Sequence, residues 1–384
     1  MARSDFSGTI PVAENGKPGS GQVDPKPAGA ASTRLHWVDF LRGLAVLGMI
    51  ETHAVNSFLA PALRTGSAFA FLSYVNGAVA PVFLFIAGLL QGAWVRKNWD
   101  APKPLGPKLR SLGVILLIGY ALQFPWDAAV VWAKVSVALG KVDVLHCIAV
   151  TLAALLLLSR CCRRLATYDL VILGLTVLIV VSAPFVWSSP VVHEFPRLLQ
   201  GYFSPGRGAL FPLIPWSAYV LVGALCSRFL VSGSRNVISG PARTLVIAAV
   251  TAALIGWLVK FSGGDWLQAQ IYAARYDAVL FRVSVVLFCC AAAAHFLRSS
   301  HPGLLIRAIN WCGSRSLPLY VFHLMLLHSG LGFMPSLSSL FPRNHSPGSV
   351  FLLFLLTLGG ALILTVVWQK LLAVTVQRGR RPGP

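Results

Sequence analysis

Long apolar runs with very few charges constrain this chain more than any other feature. Ten such runs occur, and a helix needs roughly 20 mainly apolar residues to cross the hydrocarbon core of a bilayer. Only 11% of the 384 residues are charged, whereas a soluble globular domain carries about 25%. Barrel strands in an outer membrane do not give apolar runs of this length. The sequence therefore predicts an all-α, polytopic membrane helix bundle.

Charge placement predicts the orientation of this bundle. The predicted spans lie near residues 38–60, 69–93, 109–126, 143–159, 168–187, 210–231, 243–262, 278–297, 311–332 and 349–372. Lys and Arg collect in alternate connecting loops, and cytoplasmic loops are the ones enriched in these residues. Ten spans with both termini in the cytoplasm are therefore predicted. The net charge of +20 then indicates contact with anionic membrane lipid and not with nucleic acid.

The ends of the chain differ in composition from its middle. Residues 1–33 are rich in Gly, Pro, Ser and Ala, which predicts a disordered cytoplasmic tail. They contain no signal-peptide core, so the first span is expected to remain as an anchor. Residues 34–373 form the predicted transmembrane domain, and residues 374–384 form a basic cytoplasmic tail.

The first span carries a polar stripe. At about 100° per residue, Asp39, Arg42 and His53 lie on nearly one face, whereas Glu51 points almost opposite to His53. An Asp or Arg at the bilayer centre costs roughly 2.5–3.5 kcal/mol, so such residues mark candidate functional sites. Arg42 suits a phosphate or carboxylate, and His53 suits proton transfer. Alternatively, Arg42 snorkels or pairs with Asp39, and His53 only bonds a neighbouring helix.

Later spans contain further candidates. Asn76 could donate to an oxyanion or a sugar hydroxyl, or it could be interhelical glue. In the fourth span, Asp143 could orient His146 at the outer mouth, or the two could form an interfacial polar cap. Trp216 follows two prolines and is either an interfacial anchor or a cofactor contact.

The ninth span places Tyr320 and His323 on one face with Ser316, while regular helical geometry points His328 about 140° away. A second buried histidine opposite His53 would complete a proton relay. No nucleophilic-serine elbow, phosphate-binding glycine loop or HExxH motif occurs, and no metal is expected.

Five of these segments together resemble a known family. The first is RLHWVDFLRGLAVLGMIETHA, which resembles the first-span signature of transmembrane acyltransferases. The others recur in the same order in bacterial proteins similar to the catalytic domain of heparan-alpha-glucosaminide N-acetyltransferase, and they are NGAVAPVFLFIAG, VDVLHCIAV, FPLIPWSAYVLVGA and GSRSLPLYVFHLMLLH. The resemblance covers most of the chain from about Arg34 to Leu372.

The resemblance implies transfer of an acetyl group from cytosolic acetyl-CoA to an acceptor across the membrane, a terminal glucosamine for the lysosomal enzyme. It implies that Arg42 and His53 match the family's RG…H pattern, with His53 catalytic. In the lysosomal enzyme the reactive histidine belongs to the segment leading into the second span, and an asparagine stands at the position of His53. This chain has no histidine between Ala54 and Asn76.

The resulting prediction is an acetyl-CoA-dependent acyltransferase of the bacterial inner membrane. Its acceptor is a glycan or another molecule at the outer face. The predicted residues are, for catalysis, His53, Asn76, His323 and Tyr320; for donor binding, Arg42, Asp39 and Trp216; and for the outer mouth, Asp143 and His146. Two alternatives stay open: a transporter or exporter of an anionic or glycan-like solute, and an assembly protein whose buried polar groups hold helices together.

Overall fold

A computed structural model describes residues 36–124, 139–231, 239–263, 272–297, 303–329 and 335–379. Within these residues the chain is helical, apart from turns and one isolated bridge between Leu59 and His345. The longer helices are α1 His36–Phe58, α2 Ser67–Lys97, α3 Gly106–Gln123, α4 Val144–Cys161, α5 Leu165–Ser188, α6 Leu213–Cys226, α7 Ser239–Ser262, α8 Tyr276–Phe296, α9 Leu304–Ser314, α10 Ser316–Leu324 and α11 Pro347–Gly379. Shorter helices are Arg197–Phe203, Arg228–Val231 and Leu337–Leu340.

The predicted helical membrane bundle agrees with these elements. Among the described residues, six helices are long and apolar enough to cross a membrane, namely α2, α4, α5, α7, α8 and α11. The apolar segments Leu213–Cys226 and Ser316–Ser329 are shorter. A helix overlaps each of the ten predicted ranges, while the number of membrane crossings and their orientation stay predictions.

The start of α6 is irregular, as its two prolines predict. Ile214 has non-helical angles (φ −103°, ψ 116°), and the peptide bond between Ile214 and Pro215 is cis. The indole of Trp187 on α5 donates a hydrogen bond of 2.7 Å to the carbonyl oxygen of Ile214. Irregular backbone inside a membrane protein needs such partners, because lipid offers none.

Close contact between α1 and α9 positions the polar stripe of α1. A Cβ atom at Gly43 would overlap the carbonyl oxygen of Ile309, and one at Gly313 would overlap that of Asp39. Small residues let helix backbones approach closely in membrane bundles. Because α10 follows α9 after one residue, this contact brings the start of α10 beside Arg42.

A buried ion pair joins α2 to α5. The guanidinium of Arg96 binds the carboxylate of Asp169 through two hydrogen bonds, of 2.5 and 3.1 Å. Its Nε atom donates 2.9 Å to the hydroxyl of Ser227, which directly follows α6. One side chain therefore ties three helices together.

Candidate functional site

Three histidine side chains from distant parts of the chain lie together. The ring centre of His53 on α1 is 5.3 Å from that of His323 on α10 and 5.9 Å from that of His328. His323 is fully buried, and His53 is half-buried. We call these three residues the histidine cluster. Among the described residues, no group of three or more His, Cys, Asp or Glu side chains is arranged to hold a metal ion.

The position of His328 differs from the prediction for a regular α-helix. After α10 the chain widens into a π-helical segment over Met325–Ser329. A π-helix pairs residues five positions apart, and His323 and His328 are five apart. The wider turn explains why His328 returns to the side of His53 instead of pointing about 140° away. Such turns occur frequently at functional sites.

A backbone contact fixes which nitrogen of His323 carries the proton. Its Nδ1 atom lies 3.0 Å from the carbonyl oxygen of Leu319, one turn earlier. A carbonyl oxygen can only accept a hydrogen bond, so Nδ1 is protonated and Nε2 holds the free lone pair. Nε2 is buried and has no hydrogen-bond partner in the part of the chain that the structure describes. His323 therefore presents an unprotonated nitrogen in a fixed orientation.

Tyr320 connects the histidine cluster to the start of α4. Its ring centre is 5.4 Å from that of His323, and its hydroxyl donates a hydrogen bond of 2.6 Å to Oδ2 of Asp143. Tyr320 is 1% exposed and Asp143 is 5% exposed. A phenol has a single proton to donate. In this arrangement that proton is committed to Asp143.

Asp143 and His146 cap the N-terminus of α4. Oδ1 of Asp143 accepts a hydrogen bond of 2.6 Å from the backbone N–H of Val144. Nδ1 of His146 accepts one of 3.1 Å from the backbone N–H of Asp143. Together with the bond from the backbone N–H of His146 to the Asp143 side chain, this is a capping box. The backbone, and not the carboxylate, thus orients the imidazole, and both side chains are buried.

At the other end of the stripe, Arg42 contacts both its own helix and α10. Its Nη2 atom donates a hydrogen bond of 2.7 Å to the hydroxyl of Ser316, and its Nη1 atom lies 3.8 Å from Oδ1 of Asp39. The Asp39 ion pair that the sequence offers as an alternative is therefore present. The interhelical bond to Ser316 is an additional contact.

Arg42 also lines a cavity of about 500 Å³, which we call the α3–α4 cavity. Its polar wall consists of Arg42, Gln91, Lys108, Ser111 and Ser316. The rest of the wall is mainly apolar and includes Leu145, Ile148 and Leu152 of α4. Ser316 and His323 are seven residues apart on α10, which is about 10 Å along a helix axis. The cavity and the histidine cluster therefore lie along the same helix.

Two predicted site residues have other neighbours. Asn76 on α2 is a hydrogen-bond partner of Glu51, which points almost opposite to His53 on α1. Trp216 on α6 contacts Tyr219, with ring centres 5.8 Å apart, and is not among the residues that line the α3–α4 cavity. Asn76 is therefore not grouped with His53, and Trp216 is not grouped with Arg42.

Arg282 is an ionisable residue outside the predicted site. It lies in α8, where its guanidinium carbon is 5.6 Å from the ring centre of Trp216. Among the described residues, no carboxylate forms an ion pair with it. The signal that reveals it in the sequence is an arginine within the eighth predicted span, where it costs roughly 2.5–3.5 kcal/mol at the bilayer centre.

Comparison with known families adds one match. Residues 34–259 match a family model described as heparan-alpha-glucosaminide N-acetyltransferase, catalytic. The matched range is more than half of the chain; it contains Arg42, His53 and Asp143 and ends before α8 and α10. No curated protein matches the sequence.

Proposed function

Since the chain belongs to the heparan-alpha-glucosaminide N-acetyltransferase catalytic family, we propose that it is a membrane-embedded acyltransferase. The proposed reaction moves an acetyl group from cytosolic acetyl-CoA to an amine or hydroxyl of a glycan or another acceptor. The acceptor lies at the outer face of the bacterial inner membrane. The apolar helices support an integral membrane protein, in which a donor and an acceptor on opposite sides can meet.

The α3–α4 cavity is the proposed donor site. Arg42 and Lys108 on its wall bring positive charge to the phosphates of acetyl-CoA. A guanidinium binds a phosphate through two parallel hydrogen bonds. Gln91 is buried, and its amide nitrogen has no partner among the described residues, so it offers another donor. The apolar part of the wall suits the uncharged arm of the coenzyme, while Asp39 holds Arg42 in place.

His323 is the proposed general base. Its Nε2 lone pair takes a proton from the acceptor amine or hydroxyl, whose nitrogen or oxygen forms a bond to the thioester carbonyl carbon. The carbon–sulfur bond breaks, and the leaving thiolate takes up one proton. His53, whose ring centre is 5.3 Å from that of His323, is the proposed route by which this proton returns. Tyr320 and Asp143 act as positioning residues beside the base.

The observation that carries the proposal is a shared helix. α10 begins at Ser316 on the wall of the α3–α4 cavity and continues to Tyr320 and His323 at the histidine cluster. The wall residue that binds Arg42 and the oriented base thus belong to one helix. Catalytic groups need such rigid support to keep their geometry.

Transfer of radiolabel from acetyl-CoA by the purified full-length protein tests the proposal, with glucosamine and other amino sugars as acceptors. General acid–base catalysis contributes typically about 10²–10⁴-fold, so His323→Ala and His53→Ala should each slow transfer at least about 100-fold. His193→Ala is the control, because this imidazole lies in the segment Pro190–Glu194, outside the cluster. Full activity of the His323→Ala variant would remove His323 from the reaction.

A transporter of an anionic solute is the competing function. A transporter consumes no thioester, so acceptor-dependent release of free CoA separates the two. Solute uptake into vesicles that depends on Arg42, without release of CoA in the presence of any acceptor, would replace the acyltransferase proposal.

A further inference from the structure

A second group of polar side chains lies between α6 and α8 and shares no residue with the proposed reaction. We call Trp216, Tyr219, Tyr272 and Arg282 the Arg282 cluster. The guanidinium carbon of Arg282 is 5.6 Å from the ring centre of Trp216 and 5.1 Å from that of Tyr272. The rings of Trp216 and Tyr219 are 5.8 Å apart. The guanidinium therefore lies over two aromatic rings, and a third ring contacts one of them.

Donor groups of the cluster lack acceptors among the described residues. Nε1 of Trp216 and Nη1 of Arg282 are buried without a partner. The hydroxyl of Tyr219, which is 1% exposed as a residue, is a hydrogen-bond partner of Arg282. A guanidinium can only donate, so this hydroxyl accepts, and its own proton has no acceptor among the described residues. Because buried donors are normally paired, these groups together indicate an acceptor that the described residues do not supply.

The charge of Arg282 also lacks a counterion within the described residues. The carboxylate nearest in sequence, Asp277, is bound at 2.7 Å by Arg275. Arg282 instead lies against the ring faces of Trp216 and Tyr272. Ionisable residues within membrane helices almost always pair with another group or mark a pathway for substrates or ions. The missing acceptor is therefore expected to be negatively charged.

A ligand has a short path to this guanidinium. Arg282 is half-buried, and Tyr272, which covers it, is 51% exposed. Tyr272 also lines a separate cavity of about 870 Å³ between α7 and α8. Tyr272 thus contacts both the guanidinium and this cavity.

We propose that Trp216, Tyr219 and Arg282 form a binding site for an oxyanion, with a phosphate group as the occupant. A phosphate has separate oxygens for three donors, and a guanidinium binds it through two parallel hydrogen bonds. The phosphate comes from the head group of a membrane lipid or from a water-soluble compound. Its binding requires neither acetyl-CoA nor transfer activity, so it can be tested independently of the proposed function.

Binding is measured on the full-length protein in dodecyl maltoside, a detergent without phosphate. The soluble probe is inorganic phosphate, followed by the shift in melting temperature against chloride at matched ionic strength. The lipid probe is phosphatidylglycerol, followed by native mass spectrometry against diacylglycerol, which lacks the phosphate. We expect saturable binding of at least one probe to the wild type. Binding of phosphatidylglycerol alone assigns a lipid head group, and binding of inorganic phosphate assigns a soluble source.

Three variants and one control separate the site from general charge effects. Arg282→Gln should weaken binding at least about tenfold, since hydrogen bonds to charged groups are the strong ones. Arg282→Lys keeps the charge for folding but loses the planar fork, and Trp216→Phe keeps an aromatic ring but removes the indole N–H; both should weaken binding severalfold. Arg110→Gln removes the same charge at an exposed position of α3, outside the cluster, and should leave binding unchanged.

The proposal is overturned if neither probe binds the wild type saturably. It is equally overturned if Arg110→Gln weakens binding as much as Arg282→Gln does, or if Arg282→Lys and Trp216→Phe fold and bind like the wild type. If Arg282→Gln does not fold, binding by Arg282→Lys and Trp216→Phe decides whether the proposal stands.

Discussion

The hydroxyl of Tyr320 donates a hydrogen bond of 2.6 Å to the buried carboxylate of Asp143 and so joins α10 to the first turn of α4. Asp143 uses its other oxygen to cap α4. Asp143, which caps the N-terminus of α4, is therefore held by α10, the helix that carries His323. This contact links the shape of the bundle to the orientation of the proposed base.

Replacing Tyr320 by Phe should destabilise the protein and slow transfer. The ring stays, but Asp143 loses its donor inside the bundle, and an unsatisfied buried polar group costs about 1–3 kcal/mol. Denaturant unfolding in detergent measures this loss. Asp143→Asn and the double variant complete a cycle, and the two effects should not add, because the side chains are in contact. Additive effects would contradict the coupling.

Replacing Arg42 by Lys should weaken the binding of acetyl-CoA and change the turnover rate little. Lysine keeps the charge but loses the fork that binds Ser316 and, as proposed, a phosphate of acetyl-CoA. We expect KM for acetyl-CoA to rise about tenfold, equivalent to about 1.4 kcal/mol, with kcat changed little. Ser316→Ala removes only the interhelical bond and should have a smaller effect. A fall in kcat at unchanged KM would place Arg42 at the reacting atoms.

Alanine at Gly43 or Gly313 should destabilise the bundle. Either added Cβ overlaps a backbone oxygen of the facing helix, which cannot move away as a flexible side chain can. Overpacking of this kind costs typically about 1–3 kcal/mol. Gly77→Ala is the matched control, because no heavy atom lies within 4 Å of its added Cβ. Melting temperatures compare the three, and equal values for Gly43→Ala and Gly77→Ala would contradict the close α1–α9 contact.

Breaking the Arg96–Asp169 pair should also lower stability. Arg96→Met leaves the carboxylate of Asp169 without its cation, while the hydroxyl of Ser227 keeps its hydrogen bond to the carbonyl oxygen of Ala224. Removal of one member of a buried pair costs about 3–5 kcal/mol, and the partial exposure of Asp169 places this pair at the lower end. Arg110→Met, at an exposed position, should change the free energy of unfolding little. Equal free energies of unfolding for Arg96→Met and Arg110→Met would show that the Arg96–Asp169 pair contributes little to stability.

Helix positions follow from the sequence better than side-chain partners do. The apolar runs overlap the long helices, because lipid forces each run to satisfy its backbone internally, but the ninth predicted span crosses the break between α9 and α10. Helical periodicity also places Arg42 and His53 on one face, and both of them contact residues of α10. The family predicted from the five segments agrees with the family match over residues 34–259.

Partners across helices could not be predicted in the same way. Periodicity describes one helix at a time, so it cannot show that Asp143 binds Tyr320 or that Asn76 binds Glu51. The widened turn after α10 has no mark in the hydropathy pattern, and an α-helical projection therefore misplaces His328. Arg282 is visible as a single charge, but its contact with the ring of Trp216 on α6 appears only in the folded structure.

The π-helical segment Met325–Ser329 also sets how the histidine cluster responds to a change in chain length. A single-codon deletion between His323 and His328 would let an ordinary α-turn form there and would leave the two imidazoles four positions apart. Residues four apart lie on one face of an α-helix, so His328 would still face His53. Close homologues that lack one residue in this stretch are thus expected to keep all three histidines together, with a regular helix in place of the π-helical segment.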